Sequence, residues 1–156
     1  CNKIIMDTVE KISKKVNALI EKNNDAYKGF KKAAENVDNF HLRDFMMDEA
    51  TQRQEFATRL SRALRTYNPD FDPDTDGSFT GSMHRAWIDI KAALSMDNDE
   101  SVLEECIRGE KASVDEYEDF LEDYPSLHSD ISGAIRDQLS HIKQVLDRVK
   151  TLEDLH

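Results

Sequence analysis

Four long stretches of the chain carry apolar residues three and four positions apart, which is the spacing of a helix with one buried face. These stretches cover about residues 7–37, 41–67, 99–124 and 127–150. The chain contains only 5 Gly and 3 Pro, so few positions interrupt helical structure. A length of 156 residues is typical of a single domain. We therefore predict one all-α domain, 1–156, in which four long helices share a core.

Each apolar stripe is interrupted near its middle by polar residues. The interruptions are Asn23 in the first helix, Glu49 and Arg53 in the second, Glu110 in the third, and Gln138 and His141 in the fourth. If the helices pack side by side, these six positions face the interior at about one height. We therefore predict a core polar cluster made of these six side chains.

The connections between the helices limit the topology. Only a few residues join the first helix to the second and the third to the fourth, so each pair is predicted to form an antiparallel hairpin. Residues 68–98 join the two hairpins, and their apolar spacing predicts a short helix at about 83–95. The loop part alone, about 15 residues, reaches about 50 Å when extended, whereas a helix of about 26 residues is about 39 Å long. The connector is therefore long enough to cross the whole bundle.

Charge narrows the range of partners. The formal net charge is −11 at pH 7, and 34% of the residues are charged. Such a surface repels phosphate backbones and anionic lipid headgroups, so we expect no nucleic-acid partner and no acidic membrane surface. Lysines concentrate in the first helix, whereas the third helix is densely acidic. We interpret them as two solvated faces that attract each other across the bundle; the alternative is a dedicated electrostatic docking surface.

The two cysteines, Cys1 and Cys106, suggest neither a disulfide framework nor a metal-binding pair. Cys106 lies on an apolar stripe and is predicted to be a small buried residue. No apolar run approaches the ~20 residues of a membrane span, and we expect a cytoplasmic protein. In the alternative, Cys1 is the lipid-bearing cysteine of a membrane-anchored lipoprotein.

Three runs of residues resemble a known family. They are NDAYKGF at 24–30 followed by Ala33 and Ala34, GSMHRAW at 81–87, and ECIRGE at 105–110. The predicted arrangement of helices resembles ferritin-like four-helix proteins, and with these runs the chain more narrowly resembles a bacterial family known only as a domain of unknown function. The resemblance covers nearly the whole chain. It implies an up-down-down-up four-helix bundle with a short extra helix in the long crossover.

The ferritin-like superfamily also implies a set of metal ligands. Two helices each supply one Glu and the other two each supply a Glu-x-x-His pair, because carboxylates neutralise iron or manganese and an imidazole completes the coordination. At the corresponding positions this chain has Asn23, Arg53 with Phe56, Glu110, and Gln138 with His141. Only Glu110 and His141 match the ligand types, whereas two metal ions need about six ligands.

Arg53 favours a metal-free core. Its guanidinium would supply positive charge where the superfamily holds metal ions, and it would pair with Glu110 or Glu49. The other three members of the cluster would complete a hydrogen-bonded network. We therefore predict a non-catalytic structural or interaction protein that has no cofactor and self-associates as a homodimer.

The alternative hypothesis is a reduced metal site. Iron, manganese or zinc would be bound by Glu110 and His141 with help from Glu49, and the chain would be a metal-binding protein or an oxidoreductase. A third possibility is that the six polar residues are exposed at the surface. Metal analysis and the stability effect of Arg53→Ala separate the first two hypotheses.

Overall fold

The chain forms four long α-helices followed by a short 3-10 turn. In the computed structural model, which describes residues 2–72, 98–127 and 129–156, they are α1 (Asn2–Asn36), α2 (Phe40–Tyr67), α3 (Asp99–Asp123) and α4 (Asp130–Arg148), with the turn at Leu152–Asp154. These described residues contain no β-strand, and none of their helices is long and apolar enough to cross a membrane. The predicted all-α class with four long helices is confirmed. The predicted short helix at about 83–95 lies outside the described residues, as does Cys1.

A polar side chain caps the start of each of the last three helices. Asn39 precedes α2, Asn98 precedes α3 and Ser129 precedes α4, and each accepts a hydrogen bond from an N–H group in the first turn. These N–H groups have no partner within the helix, so the caps stabilise the starts. The cap at Ser129 places the start of α4 slightly later than the sequence predicts. α1 begins earlier than predicted, because its first residues include no Pro or Gly.

Each helix packs mainly against two of the other three. α1 lies against α2 and α3, and α4 lies against the same two helices, so α2 and α3 face each other across a diagonal of the bundle. Directly after α2, Asn68 Nδ2 donates a hydrogen bond to Ser13 Oγ in α1 (3.0 Å). The turn that joins these two helices lies at their opposite ends. α1 and α2 therefore run antiparallel.

The start of α3 is attached to the turn between α1 and α2. The Asp99 carboxylate accepts hydrogen bonds from the backbone N–H groups of Asp38 (3.2 Å) and Asn39 (2.7 Å). Farther along, Lys22 Nζ lies 2.6 Å from Glu116 Oε1. α3 therefore starts beside the end of α1 and runs in the opposite direction to it.

Two apolar clusters fill the core, one on each side of the middle of the bundle. The first includes Val16, Leu60, Phe120 and Ile135. The second includes Phe30, Leu42, Leu103 and Val149, together with the buried thiol of Cys106. Both clusters are built from the apolar stripes of the sequence. The polar positions that interrupt these stripes lie between the two clusters.

Candidate functional site

A layer of polar side chains separates the two apolar clusters and draws on all four helices. Asn23, Glu49, Arg53, Glu110 and Gln138 are buried in it, as are Ser113 and Tyr117, while His141 is partly exposed at its edge. We call these eight residues the polar layer. Polar groups that leave water must find hydrogen-bond partners inside the protein, so the contacts of the layer decide what it does.

Arg53 lies at the centre of the polar layer and is fully buried. Its Nη1 donates to Asn23 Oδ1 (2.8 Å) in α1. Its Nη2 donates to Glu110 Oε1 (2.5 Å) and to Ser113 Oγ (2.9 Å), which both belong to α3. The planar guanidinium presents several N–H groups in a fixed fork, which suits it to hold acceptors on different helices. One side chain of α2 therefore ties together the diagonal pair of helices and α1.

A chain of neutral hydrogen bonds extends the polar layer to α4. Asn23 Nδ2 donates to the Tyr117 hydroxyl (2.7 Å), and that hydroxyl donates to Gln138 Oε1 (2.7 Å). Gln138 Nε2 in turn donates to the backbone carbonyl of Phe56 in α2 (3.3 Å). Burial raises the pKa of Tyr117 to about 12, so its hydroxyl keeps the proton that it donates. The network therefore returns to the helix from which Arg53 projects.

The charges of Arg53 and Glu110 depend on each other. Burial raises the pKa of the Glu110 carboxyl, the Arg53 guanidinium opposes that rise, and Glu49 adds to it. Burial also disfavours the charged form of Arg53, but Glu110, Tyr117 and Glu49 together outweigh this effect and raise the pKa of Arg53 above its usual value. Arg53 therefore stays protonated, and it is the main group that favours the charged form of Glu110. Among the described residues, Glu110 Oε2 and Arg53 Nε have no hydrogen-bond partner.

At the edge of the polar layer, His141 meets Glu49. His141 Nε2 lies 3.3 Å from Oε1 and 3.4 Å from Oε2 of the Glu49 carboxylate, and the Phe56 ring contacts the imidazole edge to face at 5.5 Å between centroids. The hydrogen bond with Glu49 raises the pKa of His141, and partial burial opposes the rise. The layer therefore combines a fixed cation at its centre with an imidazole at its edge that exchanges protons with solvent near neutral pH.

The acidic and imidazole side chains of the layer do not converge on one point. Glu110 pairs with Arg53, and Glu49 pairs with His141. Across the parts of the chain that the structure describes, no three His, Cys, Asp or Glu side chains form a group that could hold a metal ion. The Arg53 guanidinium also places a positive charge beside Glu110, which repels a metal cation at that position.

Ser113 and Tyr117 belong to the polar layer but were not predicted from the sequence. Both lie on the same face of α3 as Glu110, three and seven positions after it. Tyr117 reads as an ordinary core aromatic, since its ring packs with the first apolar cluster while only its hydroxyl enters the layer. The available signal was the polar Ser113 on the apolar stripe directly beside Glu110.

Comparison with known proteins gives one family. Residues 11–123 match the sequence profile of a family described as a domain of unknown function, DUF2383. Curated proteins and solved structures gave no match. The family match agrees with the narrower resemblance of the sequence, and the helices that it spans supply Asn23, Arg53 and Glu110.

Proposed function

We propose that this chain, which belongs to the DUF2383 family, is a non-catalytic bundle of the ferritin-like type whose centre holds an arginine in place of metal ions. Its role is structural or interactive. The observation that carries this proposal is the buried guanidinium of Arg53, which donates to Asn23, Glu110 and Ser113 at the middle of the bundle.

The contacts between helices support an up-down-down-up bundle with one long crossover, as in ferritin-like proteins. α2 and α3 both run opposite to α1, as the pairings Ser13 with Asn68 and Lys22 with Glu116 indicate. α4 follows α3 after a short connection. The diagonal position of α2 and α3 then requires a crossover between the two hairpins, for which residues 68–98 provide the length.

The donor chemistry of the polar layer does not fit a two-metal centre. Such a centre needs several carboxylates and imidazoles around one space. Here amides occupy two of the expected positions, Asn23 and Gln138, and Arg53 and Phe56 occupy two more. The remaining Glu110 and His141 each have another partner in the layer. We therefore derive no chemistry that passes through metal ions.

In the proposed role the polar layer fixes the alignment of the four helices. Its hydrogen bonds join groups at one height, so sliding one helix by a turn of about 5.4 Å separates them from their partners. The apolar clusters above and below tolerate such a shift better, because apolar contacts have little directionality. A buried polar group that specifies alignment is a known use of this kind of residue in helical bundles.

Metal analysis of the full chain, purified without a histidine tag, tests the proposal. After incubation with iron, manganese or zinc and removal of the unbound ion, we expect well below one metal per chain by elemental analysis. Near-stoichiometric metal that is lost in both His141→Ala and Glu110→Gln would overturn the proposal. It would establish the alternative site, which also involves Glu49. Metal that survives both substitutions is bound elsewhere and leaves the metal-free layer intact.

We also propose a cytoplasmic location, which the acidic surface supports because a net charge of −11 is repelled by anionic membranes. The alternative is a membrane anchor through a lipid on Cys1. Mass spectrometry of the chain from its native source tests the anchor, because a lipid on Cys1 adds the mass of its acyl chains.

A further inference from the structure

A surface groove runs between α1 and α3, and its two sides carry opposite charges. Lys15 and Lys22 lie on the α1 side, and Glu116, Asp119 and Asp123 lie on the α3 side. The apolar lining residues are Ala18, Leu19 and Phe120, of which Leu19 and Phe120 are buried. The groove and its two charged sides, extended by Lys11 on α1, are called the α1–α3 face below.

Only some of these charged side chains form ion pairs within the molecule. Lys22 pairs with Glu116 across the groove at 2.6 Å. Lys15, Asp119 and Asp123 are exposed, and among the described residues they form no ion pair. The α1–α3 face therefore presents a basic ridge beside an acidic ridge.

The first turns of α1 add an apolar element to the same face. Ile4, Lys11, Lys15 and Lys22 stand seven, four and seven positions apart, so they share one side of the helix. Because Ser13 is level with Asn68 just beyond α2, residues 2–12 extend about 16 Å past the end of that helix. Ile4 is 72% exposed on this extension. Ile5 and Met6 beside it are 61% and 70% exposed. A contiguous exposed apolar group marks a place where a partner gains contact.

A basic ridge beside an acidic ridge is complementary to a copy of itself. Rotation by 180° about an axis parallel to the helices places the basic ridge of one copy on the acidic ridge of the other, twice. Rotation about an axis perpendicular to the helices within the interface would instead place like charges together. The charge pattern therefore selects one of the two orientations, and in that orientation the two α1 extensions lie at the same end of the dimer.

We propose that a second copy of this chain packs on the α1–α3 face about a two-fold axis parallel to the helices, with Lys15 of each copy level with Asp123 of the other, and Lys11 and Asp119 about one turn to either side. Ile4 of one copy then lies near Ile4 of the second. This inference does not depend on the metal-free core and concerns a different part of the molecule.

The side of the bundle that carries the α1–α3 face has room for a dimer interface. α3 has 25 residues and is therefore about 37 Å long. Two adjacent helices are together about 20 Å wide, so this side of the bundle offers about 700 Å², and the α1–α3 face is its part near the end of α3. Specific interfaces bury about 800 Å² on each partner, and the α1 extension adds to the available area.

Reversing the charge of one ridge at a time tests the proposal. One full-length variant carries Lys11→Glu with Lys15→Glu, and the other carries Asp119→Lys with Asp123→Lys. In the proposed dimer each variant alone brings like charges together, so its dimer Kd should rise at least about tenfold. Mixed in equal amounts, the two should form a heterodimer at least as tight as the wild-type dimer, because a mostly acidic face then meets a mostly basic one. Sedimentation velocity over a concentration series measures all three.

The controls change the same charges elsewhere. Arg62→Glu with Arg65→Glu and Asp44→Lys with Asp48→Lys alter net charge equally at exposed positions of α2. Both control variants should associate like the wild type. Circular dichroism melting should show that the two ridge variants and the two controls are all folded, since substitutions at exposed positions cost little stability. Salt dependence is less informative, because two copies that each carry −11 also repel at long range.

Three results would overturn the proposal. The first is a wild-type chain that stays monomeric up to about 1 mM, because a dissociation constant above that value is weaker than that of a specific dimer. The second is that each reversal variant dimerises as the wild type does. The third is that the equimolar mixture of the two variants stays monomeric. Ile4→Ser should weaken the dimer several-fold without affecting the melting temperature of the monomer. A dimer that forms equally well with Ile4→Ser would remove the apolar contact from the proposed interface.

Discussion

Two ionic pairs lie in the same polar layer and differ in how much water reaches them. In the pair of Arg53 with Glu110 the side chains are 1% and 2% exposed, and the contact is 2.5 Å. In the pair of His141 with Glu49 the carboxylate is almost as well covered, at 4%, but the imidazole is 32% exposed and the contact is 3.3 Å. The layer therefore contains a sealed pair and an open pair within one molecule.

The two pairs show two roles of a buried carboxylate: one keeps a fixed charge state, and the other belongs to a pair whose charge changes with pH. Glu110 is matched to a partner that never loses its proton at ordinary pH, so its pair has one state. Glu49 is matched to an imidazole whose charge changes near neutral pH, so its pair has two states. Breaking the sealed pair costs much stability, because either remaining charge has no access to water. In the open pair the imidazole of His141 is in contact with solvent.

The largest expected effect comes from breaking the sealed pair. Arg53→Met leaves Glu110 buried without its cation, and it should lower the free energy of unfolding by about 3–5 kcal/mol. For a chain of this size that corresponds to a fall in Tm of about 6–20 °C. Chemical denaturation and thermal melting measure the loss. A loss below about 0.5 kcal/mol would mean that Arg53 does not stabilise the charged form of Glu110.

The pH dependence of this variant gives a further check. Burial already raises the pKa of Glu110, and removal of Arg53 takes away the main opposing effect, so the pKa rises further. The variant then folds with Glu110 protonated at low pH, and the difference in free energy of unfolding between it and the wild type should shrink as pH falls.

The double variant Arg53→Met with Glu110→Leu should recover part of the lost stability, because it removes both charges. The exposed pair of Arg59 with Asp137 supplies the matched control, and Arg59→Met should cost less than about 0.5 kcal/mol.

An intermediate effect is expected from the neutral part of the layer. Tyr117→Phe removes the hydroxyl that accepts from Asn23 and donates to Gln138, while the ring stays in place. Two buried polar groups lose a partner, which should cost about 1–3 kcal/mol. Denaturant unfolding of the variant measures this cost. Tyr124→Phe is the matched control, because Tyr124 is only partly buried, and it should leave the free energy of unfolding nearly unchanged.

The smallest and most pH-dependent effect is expected at the open pair. The folded-state pKa of His141 is raised above 6.5 by its hydrogen bond with Glu49, so the pair stabilises the fold fully below pH 6.5. That contribution is lost as pH rises through the raised pKa. Relative to His141→Gln, the wild type should be more stable by about 0.5–1 kcal/mol at about pH 6, and the difference should disappear by about pH 9. A difference that stays constant between these two values would contradict the assignment of a titrating pair.

The apolar stripes of the sequence predict the helices and show which polar side chains face the interior. In the structure Asn23, Glu49, Arg53, Glu110 and Gln138 are all buried at these interruptions. A polar residue within an apolar stripe is a strong signal, because its position follows from helical periodicity alone. The limits of the helices were less accurate, since α1 begins at Asn2 and not at about residue 7.

The pairing within the layer could not be read in the same way. From the sequence, Arg53 had two possible partners, Glu49 and Glu110, and the choice depends on side-chain rotamers and on how far one helix is shifted along its neighbour. Periodicity contains neither quantity. The role of Tyr117 could not be predicted for a related reason. Its ring lies in the apolar cluster and its hydroxyl in the polar layer, whereas a sequence pattern treats the residue as a single apolar position.

Because Asp99 is bonded to the turn between α1 and α2, hydrogen exchange at two backbone amides of that turn reports whether the two hairpins are docked on each other. The Asp38 and Asn39 N–H groups bond to a carboxylate that follows the long connector, and not to their own helix. Their protection from solvent hydrogen therefore requires that the second hairpin be docked on the first. Amides inside the helices exchange when a helix unfolds, whereas these two exchange when the halves of the molecule separate.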